Sequence, residues 1–417
     1  MKNSIKILSV ICVFILSTPF VLRSQNNTSS PYSKFGTGEL ASVAYGRNLA
    51  LGGSGYGLRD QFQLNIKNPA SITSIDSMNF LFETGVNGQI TSSSTTDRSQ
   101  IFWSGNLSHL VFGHRYTNWL MGAYGIMPFS NIGYNLRTFQ SVESDPSFVY
   151  TDWVGTGGLN KVFYLLGLKI SKNFSLGGEV AYLNGSLVES RKTWAAVQSD
   201  NPTYYLSNSR YSSFTYRGAF QFTANLDKKG TNITLGGIFS PLQKVRGKSS
   251  VIIDQQYGEN YVDSMYYYSG NATPIILPLT YGAGIGFTWK GKYLLAADYE
   301  RANWSVNTDK TYIDQEIYSL GIERVPQNSL KYYNRCSYRV GFRYDSGYIR
   351  TKGHDIDDMR VSLGVGLPVR KSGSMMNVTL EAGQKGTTRM GLIQERYLKM
   401  SVAFSLQDFW FVKRKLN

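Results

Sequence analysis

The sequence is poor in the residues from which enzymes and metal sites are usually built. It has two cysteines and three histidines in 417 residues. Cys12 lies in an N-terminal apolar stretch, so Cys336 stands alone in the rest of the chain, which excludes an intramolecular disulfide or a cysteine metal cluster there. His109 and His114 are close together on one segment and His354 is in a loop, with no second ligand at metal spacing. No Gly-x-Ser-x-Gly elbow occurs, and Ser108 and His109, adjacent on a strand, are expected on opposite faces. Gly53-x-Gly55-x-Gly57 and Gly282-x-Gly284-x-Gly286 lack the spacing and the following helix that cradle a dinucleotide. Asp357-Asp358 reads as a solvated loop. The expectation is a non-enzyme with no metal and no cofactor.

Long apolar runs are also missing. Residues 1–24 have the build of a cleaved secretory signal: Lys2 and Lys6, an apolar run from Ile7 to Leu16, and a polar exit at Ser24-Gln25. Beyond it no segment has the roughly 18 apolar residues that a membrane helix needs, which excludes a helical membrane protein. Removing the signal takes Lys2, Lys6 and Arg23 from a formal charge of +15. The remaining excess is scattered rather than gathered in a stripe with exposed aromatics, so no nucleic-acid partner is expected. Basic loops and rims are expected to face lipopolysaccharide phosphates or periplasmic surfaces, or simply to be solvated.

What the chain has in quantity is tyrosine (29), phenylalanine (22) and glycine (42), with only 17% charged residues, which suits short strands, tight turns and aromatic girdles. From about Asn79 apolar side chains recur at every second position. Phe80, Phe82 and Val86 alternate with Leu81, Glu83 and Asn87; Tyr338, Val340 and Phe342 alternate with Arg339, Gly341 and Arg343; Val378 and Leu380 alternate with Asn377, Thr379 and Glu381. This is the period-2 signature of strands with one greasy and one polar face. A soluble sandwich would alternate in the same way. Aromatics at segment ends, such as Trp103, Trp119, Tyr216, Tyr293, Tyr344 and Trp410, and small residues on the less apolar face favour a membrane barrel with a filled lumen.

The fold expected is therefore all-β, a transmembrane antiparallel β-barrel of about 14 strands over 79–411 with a basic tail at 412–417. Candidate strands are 79–89, 100–112, 117–127, 130–139, 161–171, 173–184, 213–226, 231–240, 280–289, 292–301, 316–324, 336–346, 359–368, 374–384 and 397–406, one too many unless two of those in 100–139 are one bent strand. Short joins such as 171–173, 227–230, 290–292 and Lys371-Ser372-Gly373 read as periplasmic turns. The polar stretches 141–160, 185–212, 245–278 and 347–357 read as long outer loops, the third with a possible hairpin of its own around Val251-Ile252-Ile253 and Tyr266-Tyr267-Tyr268.

Residues 25–78 are not strand-like. Glycine-rich turns from Gly46 to Leu58 and the sequence Asn68-Pro69-Ala70 suit a compact hatch inside the barrel, with Pro69 stopping any helix and Asn68 bonding local backbone. The glycine-rich run, Asn68-Pro69-Ala70 and the amphipathic strands that follow resemble the FadL-like outer-membrane transport family. The opening Pro31-Tyr32-Ser33-Lys34-Phe35-Gly36 and the closing Trp410-Phe411-Val412-Lys413-Arg414-Lys415 resemble its Bacteroidetes-type branch. The resemblance implies a 14-stranded barrel in the bacterial outer membrane with an N-terminal hatch. It implies either passage of fatty-acid-like hydrophobic or amphipathic small molecules, or service as a non-catalytic barrel subunit beside other outer-membrane proteins in a secretion or assembly complex.

On the inward face the phases place Arg217, Asp298, Glu300, Arg339, Arg343 and Glu381, with Glu83, Glu179, Glu323 and Asp345. They line a solute path, with Arg339 or Arg343 clamping a ligand carboxylate, or they bond to one another and to the hatch. A lateral opening needs a broken strand, for which Pro128, Pro241 and Pro368 are candidates because proline removes a ladder donor.

Overall fold

Strands with one apolar and one polar face can cross a bilayer only if every backbone group finds a partner, and a closed sheet achieves this. The computed structural model describes residues 28–76, 79–142, 145–195, 201–257, 261–307, 309–327, 329–369 and 373–409. The expected signal peptide at 1–24, Trp410, the tail at 412–417 and Lys371-Ser372 lie outside the described residues.

The chain forms a closed 14-strand antiparallel barrel. In order the strands are β1 (Asn79–Ser94), β2 (Ser99–Arg115), β3 (Leu120–Val142), β4 (Asp145–Lys169), β5 (Phe174–Ala195), β6 (Thr203–Asn225), β7 (Asn232–Ser240), β8 (Thr280–Trp289), β9 (Tyr293–Ala302), β10 (Gln315–Arg324), β11 (Ser337–Asp345), β12 (Asp358–Pro368), β13 (Met375–Lys385) and β14 (Gln394–Phe409). Each pairs with its sequence neighbours, and β14 closes onto β1 from Asn79↔Phe409 to Ser94↔Gln394. Val180, Phe220, Leu295, Ile322, Val340 and Leu363 point outward and are exposed, while Glu83, Glu179, Glu323, Arg339 and Glu381 are buried inside. The apolar outer belt and closed ladder make this an outer-membrane barrel. The short turns 116–119, 170–173, 226–231 and 290–292 mark its periplasmic end.

One alternative left open by the sequence is resolved, and two features differ from the sequence reading. First, 117–127 and 130–139 are one strand, β3, with a register shift between Pro128 and Ser130. Second, most of 141–160 and 185–212 is not loop. β3 to β6 run on beyond the membrane as a sheet, with rungs such as Arg137↔Asp152↔Lys192↔Tyr204. Away from lipid the apolar alternation fades, but Thr, Tyr, Trp and Val still fit a pleated surface and the cross-strand pairs hold the ladder. A hairpin of Gly247–Tyr257 and Tyr261–Asn271 extends this sheet by pairing with β6. Third, Ser108 and His109 do not point to opposite faces. A bulge skips Ser108 between the pairs Gly85↔His109 and Val86↔Leu107, and the hydroxyl comes within 3.0 Å of His109 Nδ1.

Residues 28–76 fill the lower lumen. A helical turn (Gly46–Leu49) and a 3-10 turn (Pro69–Ser74) punctuate this segment, and Ile72 of the second, Ile75 just after it, and Leu64 and Ile66 before it pack in one cluster with Leu81, Val111, Met121, Phe163 and Leu165 of the wall. Here the wall is apolar on both faces, because its inner face meets the hatch instead of water. Each large apolar side chain buried in this way contributes about 1.5–3 kcal/mol. Inward glycines let backbone lie directly on backbone: a Cβ at Gly236 would sit 1.9 Å from Tyr56 O, and one at Gly341 2.0 Å from Gly52 N.

Candidate functional site

The charges inside the barrel form separate clusters, three of them built from strand and hatch together. Asp298 of β9 is 3.0 Å from Lys67 Nζ, and its Oδ2 also accepts the Gly55 and Tyr56 N–H groups at 2.7 and 3.1 Å. Two residues along, on the same face, Glu300 accepts the Tyr56 hydroxyl at 2.5 Å. Glu323 of β10 lies between Arg47 (2.6 Å) and Arg339 of β11 (2.9 Å), and Arg47 also holds Asp60 (2.8 Å). Arg339 donates further to Asn377, which donates to Gln63 of the hatch. Glu179 of β5 pairs with Lys161 (3.2 Å) and Arg217 (2.7 Å), and Arg217 also donates to Ile66 O. Buried ions of this kind persist only when paired and hydrogen-bonded.

Asn68-Pro69-Ala70 forms the entry to the 3-10 turn. Asn68 Oδ1 accepts the Ala70 N–H at 3.0 Å, while its amide donates to Tyr56 O and to Phe220 O of β6. Pro69 sits at the first position of the turn, where its missing N–H is not needed, and a Cβ at Gly177 would meet Ala70 N at 2.2 Å.

Above the hatch is a cavity of about 410 Å³. Arg217, Glu300 and Arg343 line it, whereas Asp298, Arg339 and Glu381 do not. Arg343 is 3.3 Å from Asp345. Glu381 is approached by Lys399 at 3.4 Å and Arg360 at 3.9 Å. Arg339 is buried against Glu323 and Asn377 and does not line the cavity, so of the two proposed carboxylate clamps only Arg343 is placed to reach a solute. The sequence reading missed the hatch's own contribution, Arg47, Tyr56, Asp60 and Lys67. Their signal was present: ions in a glycine-rich segment with so many apolar neighbours require internal partners.

The cavity reaches the barrel wall at one seam. β2 and β3 share only the pairs from Leu110↔Ile126 to Arg115↔Met121, although β2 continues to Ser99 and β3 to Val142. Ser104, Asn106 and Ser108 of β2 and Met127, Pro128 and Phe129 of β3 line the cavity across this gap. Pro128, which cannot donate to the ladder, lies just past the last pair. Behind the seam a hatch strand, Glu39–Leu40, pairs with Ser130 and Asn131 of β3. Glu39 accepts from Thr28 (2.7 Å) and Lys385 (3.0 Å), and Tyr348 donates to Gly38 O (2.7 Å), so this strand is pinned across the lumen.

Residues 4–417 match the family model described as BamG. No curated protein matches the chain in sequence. Among solved structures, the Pseudomonas putida toluene transporter TodX aligns at 14% identity over 90% of this chain and 100% of that one, with a TM-score of 0.62. A Pseudomonas aeruginosa FadL homologue aligns at 12% over 90% and 99%, TM-score 0.60. The Ralstonia pickettii toluene transporter TbuX aligns at 13% over 88% and 98%, TM-score 0.55. At these identities the likeness is one of fold.

Proposed function

We propose that this chain, which belongs to the BamG family, passes hydrophobic or amphipathic, fatty-acid-like small molecules between the cavity above its hatch and the bilayer, through the seam between β2 and β3. One observation carries this reading: the ladder of an otherwise closed barrel stops at Leu110↔Ile126, and the cavity lies directly behind the gap. A closed barrel leaves no lipid-exposed edge unpaired without reason. Trp103 and Leu107 of β2 face outward there, so a molecule leaving the gap enters an apolar layer. The neighbours described as toluene transporters share the architecture and support the same class of solute.

The test is uptake of labelled long-chain fatty acid and of toluene by cells carrying a seam-locked variant. Asn106→Cys and Phe129→Cys, in a Cys336→Ser background, are joined by a short cleavable bifunctional reagent. Uptake is expected to fall about tenfold or more on linking and to return on cleavage. Uptake that ignores the link sinks the proposal.

A second reading has its own observation. The outer sheet ends in Tyr261–Asn271, whose far edge has no partner strand among the described residues and which exposes Met265, Tyr266, Tyr267 and Tyr268. A long aromatic edge is a ready template for another chain, as a subunit of an outer-membrane complex would need. Gentle-detergent purification with mass spectrometry separates the two readings: stoichiometric protein partners support the subunit, a lone barrel carrying an apolar ligand supports the transporter.

A further inference from the structure

The periplasmic turns carry a charge pattern that passage through the seam does not use. Three of them are stitched into one platform. Gly291 N–H donates to Gly230 O (3.0 Å), Val325 N–H to Lys292 O (2.8 Å), and the Gln327 amide to Gly291 O (3.1 Å), joining turns 226–231, 290–292 and 325–327. Lys290 and Gly291 have φ of 50° and 63°, so the β8–β9 turn is as tight as it can be and holds its lysines at the tip. Lys228, Lys229, Lys292 and Lys331 project from this platform, all exposed, and none forms an ion pair among the described residues.

Nearby groups do not neutralise them. Asp227 is committed to its own turn, accepting from Lys229 N (2.8 Å), Thr231 N (2.8 Å) and Thr231 Oγ1 (2.6 Å). The lipid-facing girdle has separate cations: Lys290 lies over Trp289 at 4.8 Å and Arg324 over Tyr338 at 5.7 Å. Beside the free lysines the turn after β10 presents Leu330 fully exposed, with Tyr332 and Tyr333 more than half exposed. Unpaired cations around an exposed apolar anchor, on a surface rigid before binding, form an interface that lacks only its acidic partner.

We propose that this platform docks an acidic periplasmic polypeptide, whose carboxylates meet Lys228, Lys229, Lys292 and Lys331 and whose apolar side chains cover Leu330 and Tyr333. This holds whether or not solute crosses the seam. The test places a photo-crosslinking amino acid at position 330 of the full chain in living cells, with the same group at position 267 in the extracellular hairpin as reference. The expected result is a polypeptide adduct at 330 that falls about tenfold or more when the four lysines are reversed to Glu, and persists when they become Arg. Adducts with lipid alone, no adduct, or an adduct indifferent to reversal overturn the proposal. Heat-modifiable gel migration reports whether each barrel is folded. A Lys→Gln set, expected to lose most of the adduct, decides the matter if reversal prevents assembly. In purified form, the detergent-solubilised chain should bind a fluorescent glutamate–tyrosine copolymer in a salt-sensitive way that reversal abolishes. Equal binding by the reversed protein would also overturn it.

Discussion

Inside the barrel Asp298 meets Lys67 at 3.0 Å and Glu323 is held between Arg47 and Arg339; on the periplasmic turns Lys228, Lys229, Lys292 and Lys331 form no ion pair among the described residues. The same residue types are thus used in two ways. In the lumen, desolvation makes an unpaired ion intolerable, so charge there specifies where the hatch sits against each strand. On the turns water solvates every cation and leaving it unpaired costs nothing, so the pattern is free to serve an outside partner. The charge in the lumen holds the hatch in register, and the charge on the rim remains available.

Breaking the inner set should have the largest effect. Asp298→Asn together with Glu300→Gln removes both carboxylates near Lys67, at 3.0 and 4.0 Å, leaves it buried without a counter-ion and weakens the Gly55 and Tyr56 contacts. We expect a loss of about 3–5 kcal/mol, seen as a lower temperature at which folded, heat-modifiable migration disappears. Gly341→Val should follow, because its Cβ would overlap Gly52 N at 2.0 Å and the hatch must move away from β11. About 1–3 kcal/mol, with new protease sensitivity in residues 46–58 of an otherwise intact barrel, would mark hatch displacement; resistance equal to the parent would refute the close approach. The smallest effect is on the rim. The hydrogen bond from Thr231 holds the Asp227 carboxyl below the usual aspartate range. A lowered value means that the carboxylate stabilises the turn above the ordinary aspartate pKa and loses this only as pH falls through the lowered one. Protection of the Lys229 and Thr231 amides from exchange should therefore be full near neutral pH and fade only in strong acid, while Asp227→Asn should make it independent of pH.

How much could be read in advance differs from place to place for physical reasons. β8, β9 and β12 were legible almost to the residue, since lipid on one side and hatch on the other impose a strict period of two. The upper halves of β4 and β5 were read as loop, because beyond the membrane no apolar face betrays them. Ser108 was assigned a face by counting, and a bulge, which shifts the count by one, placed it otherwise. Asn68-Pro69-Ala70 could be read as a local turn in which Pro69 stops a helix, yet that the Asn68 amide reaches Phe220 O follows only from closure of the barrel around it. For Arg217, Asp298, Glu300, Arg339, Arg343 and Glu381 the alternation suggested an inward face, but no local pattern says which of them meet the cavity.

The sequence by itself determined that the chain is built of two-faced strands, roughly where they run and where many of the short turns lie, because each follows from alternation and turn chemistry within a few residues; aromatics at segment ends and small residues on the less apolar face pointed on to a barrel of about fourteen strands. Only the tertiary structure decided that Asp298 is spent on Lys67 while Arg343 reaches the cavity, that the ladder parts between β2 and β3, and that three distant turns form one basic platform. These depend on residues far apart in sequence meeting across a closed sheet, and no local pattern encodes such a meeting.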